Sequence, residues 1–241
     1  MSTLVGIERG ESLSQQVYDQ LRQALIRGAF KPGEQITIRS LAKIMNVSPT
    51  PAREALNRLA IEGALEFGSN RSLWVPRMAA DRVRELYAIR IPLEEMLVRS
   101  AFPHLTAKDI EALSDLLAAR VKALDEHDYR SSLELNMAFS FIIFRKSTLP
   151  ITLRIVENLW LLVGPTMNLF YPELNVDRVG ISLHRMQIDA IRQNDVEACL
   201  QAMHLENNGM NIILSKLGHT SPLTASHYTQ LPPCVPIGAF S

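Results

Sequence analysis

Residues 47–66, VSPTPAREALNRLAIEGALE, constrain the fold of this chain more than any other stretch. Ser48 stands where a helix starts, and its side chain can cap that helix by accepting from an unpaired backbone N–H. Pro49 and Pro51 fall in the first turn, where N–H groups have no partner inside the helix and their loss is harmless. Ala52, Ala55, Leu56 and Leu59 recur at helical spacing, which predicts one buried stripe with Arg53, Asn57 and Arg58 projecting from it. Gly63 supplies the stop.

The preceding segments supply what this helix packs on. Leu13, Val17, Leu21 and Leu25 recur every fourth residue between Ser12 and Arg27 and predict an amphipathic first helix, closed by Gly28. The Pro32-Gly33 pair makes a turn, and Ile38, Leu41, Ala42 and Met45 mark a short second helix, with a left-handed turn residue wanted at Asn46. Two short apolar runs, Leu65 to Phe67 and Leu73 to Val75, flank a polar link suited to a hairpin loop. Three helices and a β-hairpin predict a winged helix-turn-helix over residues 1–78. Charge agrees with a nucleic-acid partner: this third holds ten Lys/Arg against seven Asp/Glu, whereas residues 79–241 hold 15 against 18. The neutral whole chain thus conceals a locally basic end, and phosphate contacts need local charge.

These residues resemble the GntR family of bacterial transcription regulators across the whole N-terminal part. The segments carrying the likeness are SLSQQVYDQLRQALIRGAFKPGEQI and SLAKIMNVSPTPAREALNRLAIEGALE, with G-x-x-x-P-G-E at Gly28 to Glu34 and V-S-x-T-P-x-R-E-A-L at Val47 to Leu56. The resemblance implies DNA contacts from Arg39, Ser48, Thr50 and Arg53; Asn57 and the wing-tip Arg71 join them as candidates. Arg suits this task because its planar fork holds guanine O6 and N7, or a phosphate, with two hydrogen bonds. Two departures bear on specificity. Pro49 replaces a frequent family Arg, which thins the base contacts, and Ser72 follows Arg71 where many members have Gly.

Beyond a hinge at Pro76 to Ala80 the pattern is helical, with helices expected near 81–102, 106–127, 129–147, 150–171, 178–193 and 195–217. Thr106 with Asp109, and Asp195, read as helix starts, and Pro92 should kink the first of these helices. The fold class is therefore mostly α: the winged helix-turn-helix joined to an all-α antiparallel bundle over 79–217, followed by a Pro-containing tail at 218–241. Cys199 and Cys234 lie outside any CxxC spacing, and no apolar run approaches the roughly 20 residues of a membrane span. With no signal peptide in view, a cytoplasmic location is expected.

The bundle resembles the FadR-type (FCD) sensing domain, in its shorter six-helix branch. ELYAIRIPLEEMLVRSAF (Glu85 to Phe102), LELNMAFSFIIFRKSTLPI (Leu133 to Ile151) and SLHRMQIDAIRQNDVEACLQAM (Ser182 to Met203) carry that likeness. Many members hold a divalent metal there with one Asp and three His; by position these fall on Asn136, Ser140, His184 and Glu206, so one ligand of four is kept. Asn136, His184 and Glu206 are weak metal candidates, because an amide oxygen is a poor substitute for a carboxylate. The resemblance implies instead a small organic effector, for instance a carboxylate, met by Arg90, Asn136, Ser140, His184 and Glu206. No cofactor is expected, and no catalytic constellation supports an enzyme. The function expected is a homodimeric, ligand-responsive regulator, a repressor by the family's common mode, that binds an inverted-repeat DNA operator. A constitutive DNA binder with a vestigial sensor and a metal-dependent sensor are the alternatives.

Overall fold

The computed structural model describes residues 12–68, 72–167 and 178–216, with side chains as far as Asn208. Three helices come first: α1 (Leu13–Ile26), α2 (Ile38–Ile44) and α3 (Pro49–Ile61). Three two-residue strands, β1 (Gln35–Ile36), β2 (Glu66–Phe67) and β3 (Leu73–Trp74), form an antiparallel sheet in the order β1-β3-β2. Gln35 pairs with Trp74, and Glu66 pairs with Trp74 from the other side. The wing expected from sequence is present as β2 and β3. Strand β1 is an addition to that expectation, because two residues after a Pro-Gly turn carry no readable period.

Capping explains most of the boundaries. The Ser12 hydroxyl accepts from Gln15 N at 3.2 Å, and Thr37 and Ser40 satisfy each other's backbone N–H groups at the start of α2. Asn46 takes the left-handed conformation (φ 51°) expected of it, and Gly63 does so at φ 78° to end α3. Leu13 departs from the expected apolar stripe. It is exposed because the first turn of α1 extends past the core, while Val17, Leu21 and Leu25 are buried.

Six helices follow among the described residues: α4 (Ala80–Ala101), α5 (Ala107–Asp125), α6 (Tyr129–Phe144), α7 (Pro150–Met167), α8 (Val179–Arg192) and α9 (Val196–Lys216). A single 3-10 turn, Phe102–His104, separates α4 from α5. Helix α4 runs unbroken through Pro92. Thr106 and Asp109 form the reciprocal cap expected for α5, and Asp195 Oδ1 accepts from Ala198 N at 3.0 Å at the start of α9. The expected end of the fourth bundle helix beyond Met167, the wing tip with Arg71, and the 218–241 tail with Cys234 lie outside the described residues.

Helices α5 and α6, α8 and α9, and α4 with both α7 and α9 pack as neighbours. The N-terminal unit is not a loose appendage, because α1 lies against both α3 and α7. Leu25, Leu56 and Leu59 therefore belong to one continuous apolar cluster with Leu97, Phe139 and Leu161 of the bundle.

Candidate functional site

Two places hold side chains whose arrangement goes beyond packing. The first is the amino end of α3. Ser48 occupies the N-cap position with extended geometry (φ −70°, ψ 161°), yet its hydroxyl makes no capping bond. That corrects the capping role expected from sequence, and the cause is local. A capping side chain accepts from the second or third helical N–H; the third residue here is Pro51, which has none, so only the Thr50 N–H remains and the Ser48 hydroxyl does not engage it. Ser48 and Thr50 are exposed, as are Arg53 and Asn57 further along α3 and Arg39 in the first turn of α2. Arg39 and Arg53 make no ion pair or hydrogen bond among the described residues. Their guanidinium groups are thus free for an external anion.

Arg58, by contrast, is a structural residue. Its Nη1 donates to Gln15 Oε1 at 2.8 Å, its Nε lies 3.3 Å from Glu62 Oε1, and its guanidinium sits 3.7 Å from the Tyr18 ring centre. Tyr18 Oη also reaches the Glu62 carboxylate at 2.8 Å, and burial with that carboxylate pushes the phenol up to about 12. These contacts, with a Ser14–Glu54 hydrogen bond, lock α1 and α3 together. In the wing, Trp74 Nε1 donates to Ser72 Oγ at 2.9 Å, so Ser72 turns inward rather than toward the tip.

The second place is the centre of the bundle. Arg90 (3% exposed), Glu94 (2%), Arg120 (3%) and His184 (1%) are ionisable groups taken out of water, which is tolerated only with partners. Arg90 lies between the rings of Tyr87 and Trp160, 4.1 and 4.3 Å from their centres. Its Nε is 2.9 Å from Glu94 Oε1, and its Nη2 donates to Asn207 Oδ1 at 3.3 Å. Trp160 Nε1 donates to the same Glu94 oxygen at 2.7 Å. Burial raises the Glu94 carboxyl above its ordinary range, while Arg90 and Trp160 oppose that shift.

His184 stacks face to face on Phe139, with ring centres 3.8 Å apart. Its Nδ1 lies 3.1 Å from Arg120 Nη1. Arginine can only donate, so Nδ1 must accept and the ring proton sits on Nε2. Nε2 faces Glu206 Oε1 at 3.3 Å, though off the axis of a good hydrogen bond. Burial lowers the His184 pKa, the neighbouring Arg120 adds to this, and Glu206 opposes it; the ring is neutral at pH 7. Burial also works to raise Glu206, but His184, Arg120 and Arg90 outweigh it and hold the carboxyl below its ordinary range. Glu206 and Asn207 are adjacent on α9, so the Arg90 and His184 clusters are halves of one site.

The sequence-derived candidates meet this site unequally. Arg90, His184 and Glu206 are within it. Asn136 is buried on α6, one turn before Phe139, and its Oδ1 has no partner among the described residues. The same holds for Ser132 Oγ, one turn earlier still, and for Arg90 Nη1. The Ser140 hydroxyl turns back on the carbonyl of Asn136 at 3.4 Å. His204 is elsewhere, 3.4 Å from Glu95 at the surface.

This donor set does not fit a divalent metal. The Nδ1 lone pair is engaged by a guanidinium, Nε2 carries a proton, and a fixed cation already stands beside the ring. Among the described residues no group of three or more His, Cys, Asp or Glu is placed to hold an ion.

Arg120, Glu94 and Trp160 are site residues that the sequence reading misses. A signal for two of them exists: Arg120 continues the apolar stripe Leu113, Leu117, Ala123 and Leu124 of α5, and Glu94 sits on the α4 face of Leu86, Tyr87, Arg90 and Leu97. A charge on a buried stripe must be paired in the interior, and the stripe is visible in the residue spacing alone.

Comparisons with known proteins agree with both halves. Residues 13–75 match the sequence profile of bacterial regulatory proteins of the gntR family, and residues 85–206 match that of the FCD domain. The HTH-type transcriptional regulator McbR of Escherichia coli (strain K12) is 32% identical over 190 residues, covering 78% of this chain and 86% of that protein. The HTH-type transcriptional repressor NanR of Salmonella newport (strain SL254) is 25% identical over 236 residues, 88% of each chain. The structure of E. coli McbR/YncC matches with a TM-score of 0.79 at 30% identity, over 86% of this chain and 98% of that one. A putative GntR regulator from Rhodococcus sp. RHA1 matches at TM-score 0.71 and 18% identity over 85% of this chain and 98% of that one, a likeness of fold alone.

Proposed function

The chain belongs to the GntR family of bacterial regulatory proteins and carries an FCD domain, and from that premise we propose that it grips an inverted-repeat operator as a homodimer under control of a small organic molecule held in the bundle. Proteins of this type are transcription regulators rather than enzymes, and relatives such as NanR are named repressors. Repression in the cytoplasm is the mode we assign to this one.

The observation that carries the DNA reading is the open amino end of α3. Ser48 and Thr50 hydroxyls without a capping duty, beside unpaired Arg53 and Arg39, offer phosphate and base-edge contacts where the helix dipole favours anions. Asn57 extends the same exposed face, and Arg71, which lies outside the described residues, is kept as a candidate phosphate contact on the sequence resemblance alone. Because Pro49 contributes no donor, base discrimination rests chiefly on Arg53.

A two-fold dimer supplies the second recognition helix, and operator symmetry follows from protein symmetry. Ile89 and Met96 of α4 and Ile151 and Ile155 of α7 are large apolar side chains left exposed, and the Ser100–Thr148 hydrogen bond (3.0 Å) ties α4 to the link that leads into α7. We assign these side chains to the face that a second copy covers.

For the effector, the unpartnered Arg90 Nη1 and Asn136 Oδ1 and the neutral Nε2–H of His184 favour direct hydrogen bonding to an organic ligand, with no metal between. A carboxylate suits Arg90. We assign Glu206 and Ser140 to the same effector site.

The deciding experiment has two arms. Arg53→Ala should abolish binding to a duplex selected by the wild-type protein while leaving the melting temperature unchanged; retained specific binding would refute the assignment of α3. A thermal-shift panel of small carboxylates and of zinc, nickel and manganese salts should give stabilisation by an organic acid that Arg90→Ala removes. Stabilisation by metal alone supports the metal-dependent sensor instead, and no shift by any compound leaves a constitutive regulator.

A further inference from the structure

Helix α7 touches both functional places. Trp160 closes over Arg90 and donates to Glu94 in the buried site. Less than one turn earlier, Asn158 Oδ1 accepts from Arg22 Nη2 at 2.9 Å, and Glu157 Oε2 lies 3.8 Å from Arg22 Nη1. Arg22 belongs to α1 and is buried there. One turn after Trp160, Gly164 brings α7 so close to the end of α1 that a Cβ built on it would stand 2.5 Å from the Ile26 carbonyl oxygen. Leu162 Cδ2 would lie 3.7 Å from a Cβ at Gly63, the residue that ends the recognition helix. Helix α1 is itself fastened to α3 through Tyr18–Glu62 and Gln15–Arg58. An unbroken series of polar and backbone contacts therefore runs from Glu94 to α3.

We propose that α7 is the element through which the buried Arg90 site and the recognition helix sense each other, with Arg22 as the residue that receives its movement. The physical basis is that packed helices shift as bodies. A change in how Trp160 seats on Arg90 and Glu94 displaces α7 along its axis, and the Asn158–Arg22 bond together with the Gly164 contact leaves α1 no slack to absorb it. Pro165 removes one backbone hydrogen bond inside α7 just where it passes α1, which softens that turn relative to the remainder. The assignment rests on the reading of α3 as a DNA reader, and linkage makes it reciprocal: whatever the site does to DNA affinity, DNA must do to the site.

That reciprocity allows a test without knowing the effector. The chain has two tryptophans, Trp74 and Trp160, so Trp74→Phe leaves Trp160 as the sole indole reporter at Glu94. The probe is a labelled duplex selected from a random pool by the wild-type protein, with binding followed by anisotropy of the label and Trp160 emission followed in parallel. Trp160 emission should change saturably along the DNA-binding curve. In Asn158→Ala and in Arg22→Met, which keeps the aliphatic packing, the duplex should still bind while the Trp160 response is lost. Independently, Trp160→Phe should alter duplex Kd by about fivefold or more in the wild-type background, and by less than about twofold in Asn158→Ala. A Trp160 response that survives both Asn158→Ala and Arg22→Met, with each shown to be folded by circular dichroism, overturns the proposal. So does a Trp160 emission indifferent to bound DNA. A wild-type chain that selects no duplex refutes the DNA reading itself, and the coupling falls with it.

Discussion

Gly164→Ala offers the sharpest check on how the N-terminal unit is seated. A Cβ at this position would lie 2.5 Å from the Ile26 carbonyl oxygen, 2.6 Å from that of Leu25 and 2.9 Å from the Ile26 carbonyl carbon. Comfortable contacts between non-bonded carbon atoms begin near 3.5 Å, so the two backbones must separate by something approaching 1 Å. Neither side can yield by rotating a side chain, because every clashing atom is main chain. Overpacking of this kind typically costs about 1–3 kcal/mol. Against it, replacing a glycine inside a helix by alanine favours the helix by roughly 0.5–1 kcal/mol. Because the nearest atoms are all main chain the cost falls toward the upper end of that range, about 2–3 kcal/mol, so the net expectation is a loss of about 1–2.5 kcal/mol, or a fall in melting temperature of about 2–10 °C for a chain of this length. Urea unfolding followed by far-ultraviolet circular dichroism measures it, and the lost stability should appear as earlier release of the N-terminal unit rather than a lower overall helix content before the transition. An alanine variant as stable as wild type, or more stable, would mean that α1 and α7 do not meet backbone to backbone.

Other expectations follow from the buried groups. Glu94→Ala leaves Arg90 without its carboxylate and should destabilise the fold by about 3–5 kcal/mol, whereas the paired change Arg90→Met with Glu94→Leu should lose much less; equal losses in denaturant titrations would show the pair is not coupled. His184 has a folded pKa below its unfolded value near 6.5, so the unfolded chain takes up the proton first. Its contribution is therefore complete above about pH 6.5 and declines as pH falls below that value toward the lower folded pKa, at up to about 1.4 kcal/mol per pH unit. His184→Gln should flatten the wild-type loss of stability between about pH 6.5 and 5, and an unchanged slope would show that His184 takes up its proton equally in the folded and unfolded chain. Ser48→Ala should leave stability within about 0.5 kcal/mol of wild type, below the usual value of about 1 for a lost cap, while weakening duplex binding in the same preparation. A stability loss of ordinary size would show that the hydroxyl does cap α3.

Much of the architecture is legible in the sequence because helices announce their ends. Thr106 with Asp109, Asp195, Asn46 and Gly63 each mark a boundary by their own chemistry, and each does so in the fold. Strand β1 is invisible there, since pairing with β3 is a tertiary event and two residues have no period. The buried site is half legible for a similar reason. His184, Arg90 and Glu206 are found by spacing, but their partners Arg120, Glu94 and Trp160 are set by how α5, α4 and α7 pack. Which atoms of His184 point at which partner is a matter of packing angles that no one-dimensional pattern contains. Ser48 is the opposite case. Its helix-start position is plain, and Pro51 three residues on removes one of the two N–H groups a cap can use, but that the Thr50 N–H also goes unused appears only in the fold.

That missing cap has a thermodynamic consequence. A helix that begins with an idle hydroxyl is incompletely solvated by its own chain, and two prolines keep its first turn helical by restricting φ rather than by hydrogen bonding. The free protein thus holds the shape of its reading head by stiffness, and the one donor between the two prolines, the Thr50 N–H, is left for an outside oxygen. A phosphate that docks there completes secondary structure as well as making a contact. Loss of conformational freedom, the usual toll on binding by flexible arms, has already been met during folding, so under the proposed reading a larger share of each phosphate contact would be left to hold DNA.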